Sequence, residues 1–415
     1  AALRNTGQVV FGDGNDDILL FRNGVHVFSA SSAELFGWIY TEAAPVILGD
    51  GDTPTNLRIH DSVIDTTAGG LFPLGDTVTF GGVVEGGTAA GSENLAIDAG
   101  STGDIVYLAD VGAARRLGTL HVRNGRNMVL PNVTAQTLLQ TTGTGTTTFN
   151  GTVNTTSATG VDVTSTNIVV NALITTIVDA SVPASAPGIV RLQATAGTAS
   201  DTTGIITILD PGRIVSSNDV TLRGNRSVAP SILVFEDTPA GANLTPTLRD
   251  FITTTTSGAD VFIESSISFI SPGETANNDF TINTKAANGN ITLQGAIDGN
   301  WNNFVLISGT GTVATTATAP MTEVATLTLQ DNSGFSNGTI NLNASIAVDW
   351  IEVFPQNYAV NILGSSNTVG VRSYYKYGNT QHPVFHNTGG VRFGDDATDY
   401  IWFRERLTSV ASTTT

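Results

Sequence analysis

An acidic stretch near the start of the sequence has the residue types that bind a hard cation. Asp13, Asp16 and Asp17 lie close together, with Gly14 and Asn15 between them. Calcium takes roughly six to eight oxygen ligands, and carboxylates and turn carbonyls are the usual donors. We therefore predict that this stretch is either a calcium site or an acidic turn that holds no ion.

The same stretch resembles the calcium-binding nonapeptide of RTX β-rolls, Gly-Gly-x-Gly-x-Asp-x-apolar-x. From Phe11 to Leu19 the chain follows that pattern, except that Phe11 replaces the first glycine. The resemblance implies a site shared between consecutive repeats, and no second complete copy follows directly. The acidic run at 395–399 keeps only part of the pattern, so both alternatives stay open.

Groups that carry out covalent catalysis are absent or scattered. The sequence has no cysteine, and only two of its five histidines, His382 and His386, lie close together. Pro383 interrupts that segment, so we expect a loop or strand end there rather than a zinc site. With 36 acidic residues, neighbouring carboxylates arise by chance, and the basic cluster of a polysaccharide lyase is missing. We expect no enzymatic activity and no cofactor besides calcium; a carbohydrate-active enzyme is the alternative.

Composition favours strands over helices. Charged residues make up 13% of the chain and Lys occurs only at Lys285 and Lys376, while Thr, Gly and Asn are abundant. Thr, Val and Ile favour strands, and Asn and Gly favour turns. The net charge of -18 makes contact with nucleic-acid phosphates repulsive, and no apolar stretch reaches the ~18 residues of a membrane span. We predict an all-β protein that binds no nucleic acid and has no membrane span.

Short apolar runs separated by turn residues recur along the whole sequence, for example at 105–108, 168–170 and 326–329. Gly, Asn and Asp clusters such as 98–104 lie between them, and turns at roughly ten-residue spacing are typical of sandwiches, barrels and solenoids. We predict a parallel β-helix or β-solenoid, with tandem β-sandwich domains as the alternative. The predicted regions are an N-terminal β region at 1–74, a Thr/Gly/Asn-rich repeat region at 75–349 and an aromatic-rich C-terminal cap at 350–415.

The sharpest internal repeat links the two ends of the sequence. Residues 7–22 match residues 389–404 without a gap, at an offset of 382 (391 minus 9). The alternating apolar positions and the Gly-Asp pair predict a hairpin or a solenoid corner, with Arg22 near an Asp. The repeat suggests that both ends present related edges for head-to-tail association, or that one unit is merely duplicated within an array. The predicted assembly residues are Val9, Phe11, Phe21, Val391, Phe393 and Phe403.

Several longer segments resemble the repeat regions of filamentous-haemagglutinin-like and autotransporter-like bacterial surface proteins. The resemblance rests on the order of elements at 77–82, 92–105, 116–120, 141–151 and 160–163, and again at 289–306. It implies a right-handed parallel β-helix, secretion across the envelope, and adhesion, surface coating or filament formation. The Asn-Pro-Asn motifs of the two-partner secretion domain, a C-terminal translocator barrel and surface-layer-homology repeats are missing.

Aromatic residues concentrate towards the C-terminus. They suggest either a sugar-stacking or subunit-contact surface, or a bulky cap that closes the end of a solenoid. The residues are Trp350, Tyr358, Tyr374, Tyr375, Tyr377 and Trp402.

Together these features predict an extracellular structural protein of a bacterial cell surface. We expect it to associate with copies of itself into a filament, sheath or surface layer through strand edges or end-to-end contacts. The alternative is an adhesin that binds glycans or cell surfaces through its aromatic C-terminal region.

Overall fold

The computed structural model describes residues 1–182, 185–195, 202–226, 229–235, 249–270, 279–330, 337–369, 384–404 and 407–409. These residues form strands joined by turns and bends, with no helix among them. Accordingly, the described segments include no helix that could cross a lipid bilayer. The chain divides into two compact units, Ala1–Ile206 and Thr207–Thr415.

The first unit contains twenty strands. They are β1 (Ala2–Leu3), β2 (Gln8–Phe11), β3 (Ile18–Leu20), β4 (Val25–Val27), β5 (Ser32–Tyr40), β6 (Val46–Leu48), β7 (Asn56–Asp65), β8 (Val78–Phe80), β9 (Val84–Gly86), β10 (Leu95–Asp98), β11 (Ile105–Tyr107), β12 (Leu117–Gly125), β13 (Met128–Leu130), β14 (Val133–Gly143), β15 (Thr146–Phe149), β16 (Val153–Thr155), β17 (Val161–Ser165), β18 (Asn167–Val170), β19 (Leu173–Thr176) and β20 (Val190–Ala194).

The strands from the unit boundary onwards are similarly short. They are β21 (Ile206–Leu209), β22 (Arg213–Ser216), β23 (Val220–Arg223), β24 (Ile232–Phe235), β25 (Arg249–Thr254), β26 (Val261–Ile263), β27 (Ile267–Ile270), β28 (Asp279–Asn283), β29 (Ile291–Leu293), β30 (Ile297–Asp298), β31 (Asn303–Ile307), β32 (Val313–Thr315), β33 (Met321–Leu329), β34 (Thr339–Leu342), β35 (Ile346–Val353), β36 (Ala359–Ile362), β37 (Ser366–Val369), β38 (Val384–Phe385), β39 (Val391–Phe393), β40 (Tyr400–Phe403) and β41 (Thr408–Ser409).

Each unit is a parallel β-helix whose coils stack strand on strand along three faces. In the first unit, β15, β16 and β17 form one coil and pair in parallel with β18, β19 and β20 of the next. In the second unit, β24, β25 and β26 pair in parallel with β27, β28 and β29. The structure confirms the predicted all-β parallel β-helix, and the alternative of tandem sandwiches is wrong because sandwich sheets are antiparallel.

Side chains alternate between the interior and the outer face of each coil. In β17, Val161 and Val163 are fully buried while Asp162 between them faces outward and accepts a hydrogen bond from Arg191 Nε at 2.9 Å. This period of two is the geometry of a strand with one face on a core. In the described coils it directs most Val, Ile and Leu side chains inward, whereas Thr occupies both faces, with Thr147 and Thr155 fully buried.

Parallel in-register pairing places similar side chains above one another inside each unit. The Phe80 ring lies flat against the Tyr107 ring in the first unit, with 4.9 Å between centroids and 9° between planes. In the second unit, Phe280 pairs in register with Phe304 of the next coil, and the Phe304 ring lies 4.9 Å from the ring of Phe269 in the preceding coil. These stacks fill the interior with contacts between successive coils, so each coil depends on its neighbours for burial.

Polar side chains stacked from coil to coil, which we call polar ladders, stabilise the corners between faces through hydrogen bonds to the backbone. The Asp260 carboxylate accepts the backbone N–H of Asn290 at 2.6 Å, and the Asn290 side-chain oxygen accepts the backbone N–H of Thr312 at 2.9 Å. Each rung thus satisfies a backbone donor of the following coil, where no strand ladder can do so. This explains why Asn and Asp recur at coil spacing.

Candidate functional site

The stretch that carries the predicted assembly residues forms a corner of the first coil. β2 and β3 do not pair with each other; both pair in parallel with β5. Residues 12–17, which we call the N-terminal corner, connect two faces of the β-helix. The alternative of a β-hairpin is therefore wrong, and the solenoid corner is confirmed.

Glycine and aspartate give the N-terminal corner its shape. Gly12 has φ of +75°, and a Cβ there would lie 2.9 Å from the carbonyl oxygen of Phe36. The Asp17 carboxylate accepts the backbone N–H groups of Asp13 at 2.6 Å and Gly14 at 3.0 Å. These hydrogen bonds, that from Asp13 first, lower the pKa of Asp17 below its ordinary value. Charge on Asp17 therefore holds the turn.

The last coil repeats this corner in detail. Gly394 has φ of +73°, and the Asp399 carboxylate accepts the backbone N–H groups of Asp395 at 2.7 Å and Asp396 at 3.1 Å. The pKa of Asp399 is lowered by the same two bonds, that from Asp395 first. We call residues 394–399 the C-terminal corner. The matching sequences at the two ends thus build the same local structure.

The aromatic residues of the two corners also correspond. Phe11 packs edge to face against Phe21 with centroids 6.2 Å apart, and Phe393 packs in the same way against Phe403 at 5.6 Å. Phe11 is buried, whereas Phe393 is 41% exposed. Val9, Phe21, Val391 and Phe403 are partly exposed. All six predicted assembly residues therefore lie in the first or the last coil.

The correspondence extends beyond the matching residues to a whole coil. At the same offset of 382 (384 minus 2), β1 corresponds to β38, β2 to β39 and β3 to β40. The pairing register is also the same: Ala2 pairs with His26, and Val384 pairs with Thr408. Sequence comparison missed β1 and β38 because their side chains differ, and only the coil geometry relates them.

The first coil leaves one edge of each of its strands without a strand partner within the described residues. β1 pairs with β4, while β2 and β3 pair with β5. Apolar side chains accompany these edges: Val10 is 52%, Ile18 66% and Leu20 51% exposed. A cavity of about 540 Å³ opens beside them, and its lining includes Leu3, Val9, Phe11, Leu19 and Phe21. Among the described residues, no strand covers the inward side chains of the first coil.

At the C-terminal end, the last described strand of each face is β39, β40 or β41, and each leaves its other edge open. Of the described strands, β36 pairs with β39, β37 with β40 and β38 with β41, each on the side towards earlier coils. Tyr400 is 58% and Trp402 55% exposed on the outer face of β40. Both ends therefore combine open strand edges with exposed apolar side chains.

Sequence reasoning missed the outward apolar residues of both coils. Ile18–Leu20 with Phe21 is an unbroken apolar run, whereas β15 places Thr146 and Thr148 on its outer face. A strand that covers only one face needs apolar residues at alternate positions. Such a run is not specific to the two end coils, because Met128–Leu130 is also apolar throughout and exposes Val129.

The acidic residues of the corners differ between the ends. Asp13 and Asp16 are exposed and Asp17 is engaged in the turn. The carboxylate oxygens of Asp395, Asp396 and Asp399 lie within 4.8 Å of one another, and this is the one group of three such ligands found among the described residues. Calcium at Asp13, Asp16 and Asp17 stays a prediction.

Arg22 does not lie near an Asp as expected. Its Nε is 3.5 Å from Glu42 Oε1, and the contact is on the surface. In the last coil, the corresponding Arg404 lies over the Trp402 ring, with 5.4 Å from its guanidinium carbon to the centroid. The two arginines therefore share a position but have different partners.

The C-terminal aromatic residues have different environments. Tyr374, Tyr375 and Tyr377 lie outside the described residues. Tyr358 is fully buried, and its hydroxyl donates to the Leu329 carbonyl oxygen at 2.9 Å, so it is a core residue. Burial raises its pKa. Of this group, Trp402 presents an exposed ring at the open end.

The first and last coils are distinguished by their open strand edges and by the repeat that relates them within this chain. No family model, no curated protein and no solved structure matches it.

Proposed function

We propose that this protein is an extracellular structural subunit that associates with copies of itself end to end, without catalysing a reaction. The observation that carries the proposal is the pair of open coils with exposed apolar side chains. The product would be a filament, or a sheath or surface layer built from filaments.

Open strand edges are a strong driving force for association. An edge strand presents backbone N–H and C=O groups that pair readily with another chain, and natural proteins usually protect such edges with charges, proline or a covering segment. In β3 the outward positions carry Ile18 and Leu20, and in β40 they carry Tyr400 and Trp402. These side chains favour docking of a further coil over exposure to water.

The direction of the edges favours head-to-tail contact. Among the described strands, the free edges of β1 and β2 lie opposite the edges that pair with β4 and β5, and the free edge of β40 lies opposite the edge that pairs with β37. A contact between two different surfaces of identical subunits is heterologous and continues indefinitely unless it closes into a ring. End-to-end pairing would therefore yield filaments.

An extracellular location and a bacterial surface are supported by composition alone. The sequence is rich in threonine, glycine and asparagine, lysine occurs twice and cysteine is absent. Hydroxyl and amide groups at many outward positions suit a protein that works in a dense layer of copies of itself.

Electron microscopy of the purified chain tests the proposal, with variants that place a charge in the contact. Val9→Asp and Ile401→Asp put a carboxylate at a partly exposed inward position, where assembly would bury it without a partner. Val129→Asp is the control, because Val129 is 48% exposed on the outer face of β13. We expect filaments from the unchanged chain and the control, and dispersed particles from the two end variants. Dispersed monomers from the unchanged chain at high concentration would contradict the proposal.

A further inference from the structure

We propose that copies join so that the coils continue without interruption: β1, β2 and β3 of one copy pair in parallel with β39, β40 and β41 of another. We call this the continuing-coil register. It rests on the proposed end-to-end association and specifies which strands meet, so the partner of each end is a second copy of this chain.

The duplicated coil offers a competing arrangement. In the corner-on-corner register, β2 would pair with β39 and β3 with β40, so that the two matching corners stack. β1 would then need the edge of β38, its counterpart. That edge is already taken, because β41 pairs with β38 through Val384–Thr408 and Phe385–Ser409. Of the two registers, the continuing-coil register uses the free edges of the described strands at both ends and displaces no described strand.

Side chains of β2 and β40 match in the continuing-coil register. Both strands have four residues and the same alternation, with the second and fourth side chains directed inward. Val9 would lie beside Ile401 and Phe11 beside Phe403, which extends the interior stacks across the junction. On the outer face, Val10 would lie beside Trp402, so two side chains exposed in the single chain would cover each other.

Charges at the corners distinguish the two registers. Adjacent strands lie about 4.8 Å apart, so the corner-on-corner register would stack the carboxylates of Asp13 and Asp17 on those of Asp395 and Asp399. In the continuing-coil register, the N-terminal corner follows β2 and therefore comes next to Arg404, the residue that follows β40. The C-terminal corner, between β39 and β40, meets the segment between β1 and β2, which contains Arg4. Each acidic corner thus faces an arginine.

Cysteine pairs can identify the register, because the chain contains no cysteine of its own. Neighbouring parallel strands bring paired residues within the Cα distance of roughly 4.4–6.8 Å that a disulfide needs. Val10→Cys with Trp402→Cys in one chain reports the continuing-coil register, and Leu20→Cys with Trp402→Cys reports the corner-on-corner register. A second set of variants retains Trp402. In this set, Gln8→Cys with Tyr400→Cys reports the continuing-coil register, and Ile18→Cys with Tyr400→Cys reports the corner-on-corner register.

The reduced variants are first assembled and then oxidised under mild conditions, and the covalent products are separated in denaturant. We expect ladders of covalent oligomers from the pairs 10/402 and 8/400, and monomers from the pairs 20/402 and 18/400. Filaments with the reverse pattern, or with no cross-link in any pair, would overturn the register and leave the proposed function intact. Failure of the unchanged chain to form filaments would overturn both.

Discussion

The ring of Phe11 packs edge to face against the ring of Phe21, at 6.2 Å and 89°, across the corner that joins two faces of the first coil. Phe393 and Phe403 repeat this contact in the last coil at 5.6 Å and 77°. Within each unit, coils cover one another's interior side chains. The two coils that repeat this aromatic pair are those in which the described structure leaves strand edges open.

Interior packing should carry most of the stability of each unit. Phe149 is fully buried in β15, so Phe149→Ala should lower the free energy of unfolding by about 3–5 kcal/mol. The control Val129→Ala, on the outer face of the neighbouring strand β13, should change it by less than ~0.5 kcal/mol. Urea unfolding of both in the Val9→Asp background, followed by circular dichroism, avoids interference from assembly. Equal effects would refute the packing of the interior described for this unit.

The polar ladders should make a smaller contribution. Asn290→Ala removes a side chain that accepts the Thr312 N–H and donates to Asp260 at 3.2 Å. A net loss of about 1 kcal/mol is expected for one such hydrogen bond. Asn23→Ala, at an exposed turn, serves as the control and should leave the urea midpoint unchanged. If Asn290→Ala does not lower the free energy of unfolding, water replaces the hydrogen bonds of the Asn290 side chain.

The corner carboxylates should titrate below their ordinary range. Asp17 accepts two backbone N–H groups in its charged form, which lowers its pKa below 3.8, and Asp399 behaves alike. Because the folded pKa is the lower one, the stabilisation is complete above about pH 3.8 and is lost as the pH falls through the lowered value. An NMR titration of the carboxyl carbons of the Val9→Asp variant measures this directly. A pKa at or above 3.8 for Asp17 would contradict the corner geometry.

Charge reversal at Arg4 tests whether this arginine attracts the C-terminal corner of the next copy. Arg4→Glu would place a like charge beside the C-terminal corner of the next copy and raise the critical concentration for assembly. Exposed pairs of this kind contribute about 0.2–1 kcal/mol, which corresponds to at most a roughly fivefold effect.

The second change Asp395→Lys should restore assembly, since it recreates an opposite pair. Arg213→Glu, exposed at the start of β22, controls for the change in net charge. Sedimentation of polymer from a concentration series gives the critical concentration of each variant. Equal effects of Arg4→Glu and Arg213→Glu would remove the support that charge gives to the continuing-coil register.

The strands and the all-β class could be predicted from the sequence, whereas the preference for a parallel β-helix over tandem β-sandwich domains could be decided only by the strand pairing. Alternation such as that of 119–122 specifies a one-sided strand, and Gly and Asn specify the turns. The pairing partner is not local, however: Val161 pairs with Val190, far along the chain. Nothing within either segment encodes that contact, because coil length varies with the loops.

The candidate site was predicted in part for a similar reason. Identical residues at Val9 and Val391, or Phe11 and Phe393, could be found by comparing the sequence with itself. The open edges could not, because an edge is defined by which strand is missing beside it. The acidic run at 395–399 was recognised only as a partial copy of the nonapeptide, because its three carboxylates meet only after the corner folds around Gly394.

The central claim is that two different ends of the chain bind each other, and mixing two end variants tests it most directly. Val9→Asp blocks the first coil and Ile401→Asp blocks the last, so each variant alone should remain monomeric in analytical ultracentrifugation. An equimolar mixture retains one intact end of each kind and should form dimers of twice the monomer mass, and nothing larger. A mixture that stays monomeric while the unchanged chain forms filaments would contradict head-to-tail pairing of these coils.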